Sequence, residues 1–319
     1  MMATIEAGIE FDPDVSAYLA MVKATARPSF EQLTVAQARQ VYRAARDSVG
    51  LPVLAGIETL DDSFAGRQCP VAVRRYLPAG AGEGPAPVIM FLHGGGWVIG
   101  DLDTHDAICR HVAMATGLQV VSVDYRLAPE HPSPAAVEDC FDAHAMLINR
   151  ARTWNVDVRR IVLMGDSAGG ALAFATALHA RDLCRPMPAA QVLFYPVCDL
   201  RGGTASYAQV RNVPITAATM AWFRQHYCTS PADCADWRNS PLLAESLLGL
   251  SPTFIAVAGH DPLRDEAFAL DKRLRESGCA THMRYLPGHV HGFLTLGGLI
   301  GEAQQTITAA ADFIHNCVA

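Results

Sequence analysis

Beyond residue 55 the chain repeats one pattern: a short apolar run followed by a stretch with helical spacing. Five of the runs, Val88–Leu92, Val120–Asp124, Ile161–Met164, Gln191–Tyr195 and Phe254–Ala258, are almost wholly apolar. Successive strand residues point to opposite faces, so such a run suits only a strand covered on both sides. The helical candidates His105–Ala115, Glu138–Arg150, Ala168–Ala180, Glu266–Ser277 and Ala303–Cys317 supply the covering layers. Ahead of them, Ile57–Leu60 and Val71–Leu77 read as a hairpin-type start, and Pro78 ends the second run because it cannot donate to a continuing ladder. His282–Leu286 is more mixed and suits an edge. Eight strands with interleaved helices predict an α/β fold: a doubly wound, mostly parallel sheet with helices on both faces.

Two segments stand outside this rhythm. In the first, Thr34 and Gln37 have the spacing of a capping box, and Val35, Ala38, Val41, Ala44 and Ala45 recur at helical spacing until Gly50-Leu51-Pro52. A shorter helix is expected over Val15–Lys23. In the second, the gap from Pro196 to Ser251 is too long for a simple crossover. It includes a predicted helix Ala217–His226 that carries Met220, Trp222 and Phe223. Residues 1–52 and an insertion around 199–250 are therefore expected to form a helical cap on a catalytic domain of residues 53–319.

Composition excludes several function classes. Half of the residues are hydrophobic and 18% are charged, which a disordered chain would not show. The net charge of −7 without basic runs argues against nucleic acid as a partner. No apolar stretch reaches the length of a membrane span. The N-terminus has no basic and apolar signal pattern, and the nine cysteines include no CxxC pair. Free thiols in a reducing cytoplasm are the expectation.

Two glycine-rich motifs point to nucleophilic catalysis. Gly165-Asp166-Ser167-Ala168-Gly169 follows one predicted strand and opens a helix, which would lift Ser167 Oγ to the open end of the sheet. His93-Gly94-Gly95-Gly96 follows another strand and offers backbone N–H groups to a developing oxyanion, with Ala168 N–H as their partner. His93 itself is read as structural. A serine needs a base, and the base an orienting carboxylate. Asp261 follows the strand Phe254–Ala258. Asp265 and Glu266 fall one turn later, as partners of a helix N-terminus. His289 and His291 both follow the last strand, and spacing does not choose between them.

Together the HGGG loop, the GDSAGG elbow, Tyr125–Pro132, the Asp-Pro-Leu-Arg-Asp run from Asp261 and His291-Gly292-Phe293 resemble the bacterial hormone-sensitive-lipase-like (family IV) carboxylesterases. The likeness runs from about residue 55 to the end, and the helical N-terminus resembles that family's cap. It implies an α/β-hydrolase fold and a serine carboxylesterase using Ser167, Asp261 and His291, with oxyanion donors at Gly94, Gly95 and Ala168. It implies no metal or cofactor, a small-molecule ester of short acyl chain as substrate, and a homodimer as one option through the last strand's edge. Ala267 departs from the glycine often found there, beyond the acid. Trp97, Trp222 and Phe223 are expected to wall the pocket, and Arg126 and Glu130 to pair across their loop. The alternatives are an amidase or deacetylase using the same triad and a non-catalytic receptor, which the presence of His291 disfavours.

Overall fold

The computed structural model describes residues 9–80 and 84–319, so the first eight residues of the expected cap segment lie outside the described residues. Eight strands form one sheet: β1 (Ile57–Ala65), β2 (Pro70–Pro78), β3 (Ala86–Leu92), β4 (Gln119–Asp124), β5 (Val156–Asp166), β6 (Ala190–Phe194), β7 (Thr253–His260) and β8 (Thr281–Val290). Their order is β1-β2-β4-β3-β5-β6-β7-β8. Strand β2 runs antiparallel to both β1 and β4, and the remaining pairs are parallel. The predicted hairpin start, the mostly parallel sheet and the edge position of the last strand are all present.

The helices are α1 (Pro13–Thr25), α2 (Val35–Val49), α3 (Asp106–Thr116), α4 (Ala135–Asn149), α5 (Ala151–Trp154) and α6 (Ala168–Asp182). They continue with α7 (Ala205–Gln209), α8 (Ala217–Tyr227), α9 (Pro231–Ala235), α10 (Arg264–Glu276) and α11 (Glu302–Val318). Among the described residues no helix is long and apolar enough to cross a membrane. The all-apolar strands divide between two cores, as their two covered faces require. Val88, Met90 and Leu92 of β3 face one core with α4, α6 and α10. Ile89 and Phe91 face the other with α3 and α11.

The two segments outside the repeat meet each other. Helix α2 begins on the predicted capping box: Gln37 N–H donates to Thr34 Oγ1, and Thr34 N–H to Gln37 Oε1. Just before it, the Phe30 ring lies 5.9 Å from the Phe223 ring of α8. Beside that contact the Thr219 hydroxyl donates to Glu31 Oε2 at 3.0 Å. Arg39 of α2 then ties this segment to the sheet, donating to Val98 O, Ala128 O and both carboxylate oxygens of Glu130.

That last contact corrects one expectation. Glu130 pairs with Arg39, not with Arg126. Arg126 instead makes a buried fork onto Asp139 of α4, with Nε at 2.8 Å from Oδ2 and NH2 at 2.8 Å from Oδ1. The loop after β4 is not helical, so four residues of spacing do not bring Arg126 and Glu130 face to face.

Candidate active site

The nucleophile candidate sits on a sharp turn between β5 and α6. Ser167 has φ 54° and ψ −117°, a backbone conformation that side chains seldom adopt. Its N–H donates to Phe194 O and its own carbonyl accepts from Val197 N–H, so β6 and the residues after it hold the turn in place. A side chain at Gly169 would overlap the Leu92 carbonyl, which explains the glycine two residues after the serine.

Three side chains from three strand ends meet here. His291 Nε2 lies 2.9 Å from Ser167 Oγ, and His291 Nδ1 lies 2.7 Å from Asp261 Oδ2. Asp261 is almost fully buried, and its Oδ1 accepts from Leu263 N–H at 2.8 Å. The geometry brings together Ser167, Asp261 and His291 and leaves His289 out. His289 is buried nearby against the Phe293 ring, with centroids 5.8 Å apart. Asp265 and Glu266 occupy the first turn of α10, as expected. Glu266 is nearly inaccessible, and its Oε2 accepts from Asp199 N–H at 2.7 Å. Burial pushes its carboxyl well above the ordinary carboxylate range, and the neighbouring Asp199 and Asp261 add to that effect. Among the described residues no group of three or more His, Cys, Asp and Glu side chains is placed to hold a metal ion.

The glycine loop corrects a second expectation. Gly94 N–H donates to Asp166 Oδ1 at 2.7 Å, so it is not free for an oxyanion. The N–H groups of Gly95, Gly96 and Ala168 make no such bond among the described residues. Gly95 and Gly96 line the cavity in front of Ser167. Asp166 reaches back to the loop because it is buried beneath it, with His105 Nε2 at 3.4 Å. Burial opposes its charge, but His105 and the Gly94 N–H outweigh that and hold its carboxyl below the usual range. His93 is structural, as read from the sequence. It is fully buried and stacks on the Tyr125 ring at 4.2 Å. Its imidazole is pushed down to about 4 by burial and by His105.

A cavity of about 930 Å³ opens over Ser167 and His291. Its walls come from α1, α2, the segment between them, and residues around α8. Of the three aromatics expected to line it, only Phe223 does, with its ring against Gly96. Trp97 turns inward and stacks on Tyr227 at 4.5 Å, buried in the core. Trp222 is one helical step from Phe223, so its ring faces away, edge-on to His226 at 4.6 Å. Met220 does line the cavity. Sequence reasoning missed Tyr195, whose ring centroid is 4.8 Å from that of His291, and also Tyr18, Tyr42 and Arg46. Tyr195 directly follows β6 at the same end of the sheet as Ser167, a position that could have marked it.

A family model described as an alpha/beta hydrolase fold matches residues 89–295. A carboxylic ester hydrolase of Mycobacterium tuberculosis, LipN, is 44% identical over 264 residues, covering 79% of this chain and 70% of the relative. An ethyl acetate hydrolase of Pseudomonas putida is 34% identical over 96% of this chain and 99% of its own length. Among solved structures, LAE6, an alpha/beta hydrolase enzyme from the metagenome of Lake Arreo, is 35% identical. It superposes with a TM-score of 0.92 over 96% of this chain and 98% of its own.

Proposed function

Because this chain belongs to the hormone-sensitive-lipase-like α/β-hydrolases, we propose that it is a carboxylesterase in which Ser167, His291 and Asp261 cleave short-chain esters through an acyl-enzyme. The reading rests on the unbroken hydrogen-bond chain from Ser167 Oγ through His291 to Asp261. Ser167 Oγ attacks the ester carbonyl while His291 Nε2 takes its proton. Asp261 holds the imidazole with Nδ1–H toward itself and stabilises the imidazolium that forms. The oxyanion is received by the N–H groups of Gly95, Gly96 and Ala168, with Gly96 in the place expected of Gly94. His291 returns the proton to the departing alcohol. Water then attacks the acyl-enzyme by the same route and regenerates Ser167.

The cap reading of residues 9–52 and 199–250 is part of the same proposal, since both segments contribute walls to the cavity. The ring of Phe223 against Gly96 narrows the space beside the oxyanion donors and favours short acyl chains. The test is hydrolysis of p-nitrophenyl esters across an acyl series from acetate to palmitate, with Ser167→Ala alongside. Activity should peak at short chains, and the alanine variant should lose about 10⁴-fold or more while remaining folded. A maximum at long chains would overturn the acyl preference, and an active alanine variant would overturn the nucleophile.

A further inference from the structure

The cavity carries a charge imbalance that ester cleavage alone does not require. Lys23, Arg27 and Arg46 all line it. None of the three has a carboxylate within 4.0 Å among the described residues. The acids lining the same cavity are Glu31 and Asp166. Glu31 accepts the Thr219 hydroxyl, and Asp166 is held by Gly94 N–H and His105 beneath the loop.

Arg46 is the cation fixed most firmly. Its NH1 donates to Thr295 O at 2.5 Å, and its guanidinium lies over the Tyr42 ring, 4.7 Å from the centroid. Thr295 N–H in turn donates to Gly292 O, so the guanidinium is tied to the turn that follows His291. Its Nε is sealed from solvent without a hydrogen-bond partner, and its NH2 makes no hydrogen bond among the described residues, so NH2 is the donor open to an acceptor arriving with the substrate. Tyr18 lines the same wall. Burial raises its phenol while Arg46 and Arg27 draw it back, as expected if both cations face the space around it. Lys23 and Arg27 are exposed at the rim, where unpaired positive charge steers anions inward.

We propose that the ester taken by this site carries a carboxylate at the end away from the scissile bond, and that Arg46 receives it. The inference rests on the esterase reading and adds the substrate's charge. Guanidinium matches a carboxylate in charge and geometry, and the partly enclosed wall strengthens that bond relative to water. Lys23 and Arg27 raise the local concentration of such substrates.

Two matched pairs test this, followed by acid release at constant pH. Monomethyl adipate against methyl hexanoate places the charge on the acyl side, and 6-acetoxyhexanoate against hexyl acetate places it on the alcohol side. p-Nitrophenyl acetate serves as the neutral control. The wild type should prefer the charged member of at least one pair by about tenfold or more in kcat/KM, and less in about 0.5 M sodium chloride. Arg46→Gln should abolish that preference, with a loss on the charged esters about tenfold or more greater than its loss on p-nitrophenyl acetate, while Arg46→Lys should keep part of the preference. No preference in either pair would overturn the inference while p-nitrophenyl acetate turnover leaves the esterase reading standing. So would an equal loss on charged and neutral esters in Arg46→Gln, which would make Arg46 only a support for Thr295. Inertness toward every ester, p-nitrophenyl acetate included, would overturn both.

Discussion

Asp166 shows how much one side chain can organise around the proposed nucleophile without touching its hydroxyl. Its carboxylate fixes Gly94 N–H and sits against His105, so the loop that presents Gly95 and Gly96 is pinned to the elbow that presents Ser167. Asp166→Ala should therefore lower kcat/KM by about 10²-fold, the scale of a misplaced oxyanion donor. Ser167 should still react with a fluorophosphonate probe, and an unchanged kcat/KM would break the link between Asp166 and the loop. Gly96 allows a controlled comparison. Gly96 and Gly117 have similar left-handed backbones, φ 58° and 64°, but a side chain at Gly96 would overlap the Phe223 ring while one at Gly117 meets nothing. Gly96→Ala should lose most esterase activity and Gly117→Ala should keep it, measured on p-nitrophenyl acetate at matched folding. Ser167 and Asp261 were legible because each directly follows a strand in a recognisable motif. His291 needed the family likeness, since His289, two residues earlier, lies near the end of the same strand. The place of Gly94 was misread because a motif marks which N–H groups are near, not which already have an acceptor. Trp97 was misread because its position after the glycines says nothing of the direction its side chain takes.

At the level of elements, the buried Arg126–Asp139 fork clamps the loop after β4 onto α4. Asp139→Ala would strand a buried guanidinium and should destabilise the fold by about 3–5 kcal/mol, read from urea unfolding. A loss below about 1 kcal/mol would mean that Arg126 finds another partner or reaches water. The capping box at the start of α2 was visible in the sequence to the residue. Thr34→Ala should cost about 1 kcal/mol, and because α2 walls the cavity the same change should raise KM more than it lowers kcat. Strand and helix positions were readable because apolar runs and helical spacing reflect local burial. The join between the N-terminal segment and α8 was only an expectation. Its contacts, such as Phe30 on Phe223, link residues nearly two hundred positions apart and leave no periodic trace.

Buried titratable groups give the whole molecule a defined pH response. Burial drives His93 and His144 down to about 4 from an ordinary 6.5. Both groups are neutral in the fold at pH 6 and more readily protonated when unfolded. Their contribution is therefore intact above pH 6.5 and is lost as pH falls from 6.5 toward 4. Unfolding in urea should show a loss on the order of 1–2 kcal/mol per histidine between pH 7 and 5. His144→Leu should flatten that slope, and a slope unaffected by the change would assign it elsewhere. Glu266 acts in the opposite direction. Its raised carboxyl keeps the fold protonated where the unfolded chain ionises, so it costs stability as pH rises above 4.5. The stability of Glu266→Gln relative to wild type should accordingly grow from pH 4.5 upward, and a difference that does not change with pH would place the ionised form in the fold.

The segment before β1 also fixes when the cavity can close during synthesis. Helices α1 and α2 are made before the residues that hold them: Glu31 waits for Thr219, Asp12 for Gly288, and Arg46 for Thr295. A nascent chain that ends before residue 295 thus lacks the contacts that seat the C-terminal end of α2, Arg46 on Thr295 and Gly298 N–H on Val49 O, and leaves that end open to chaperones and proteases. Segments made early are thus seated late, and the cavity wall they form closes only once residue 295 has been made.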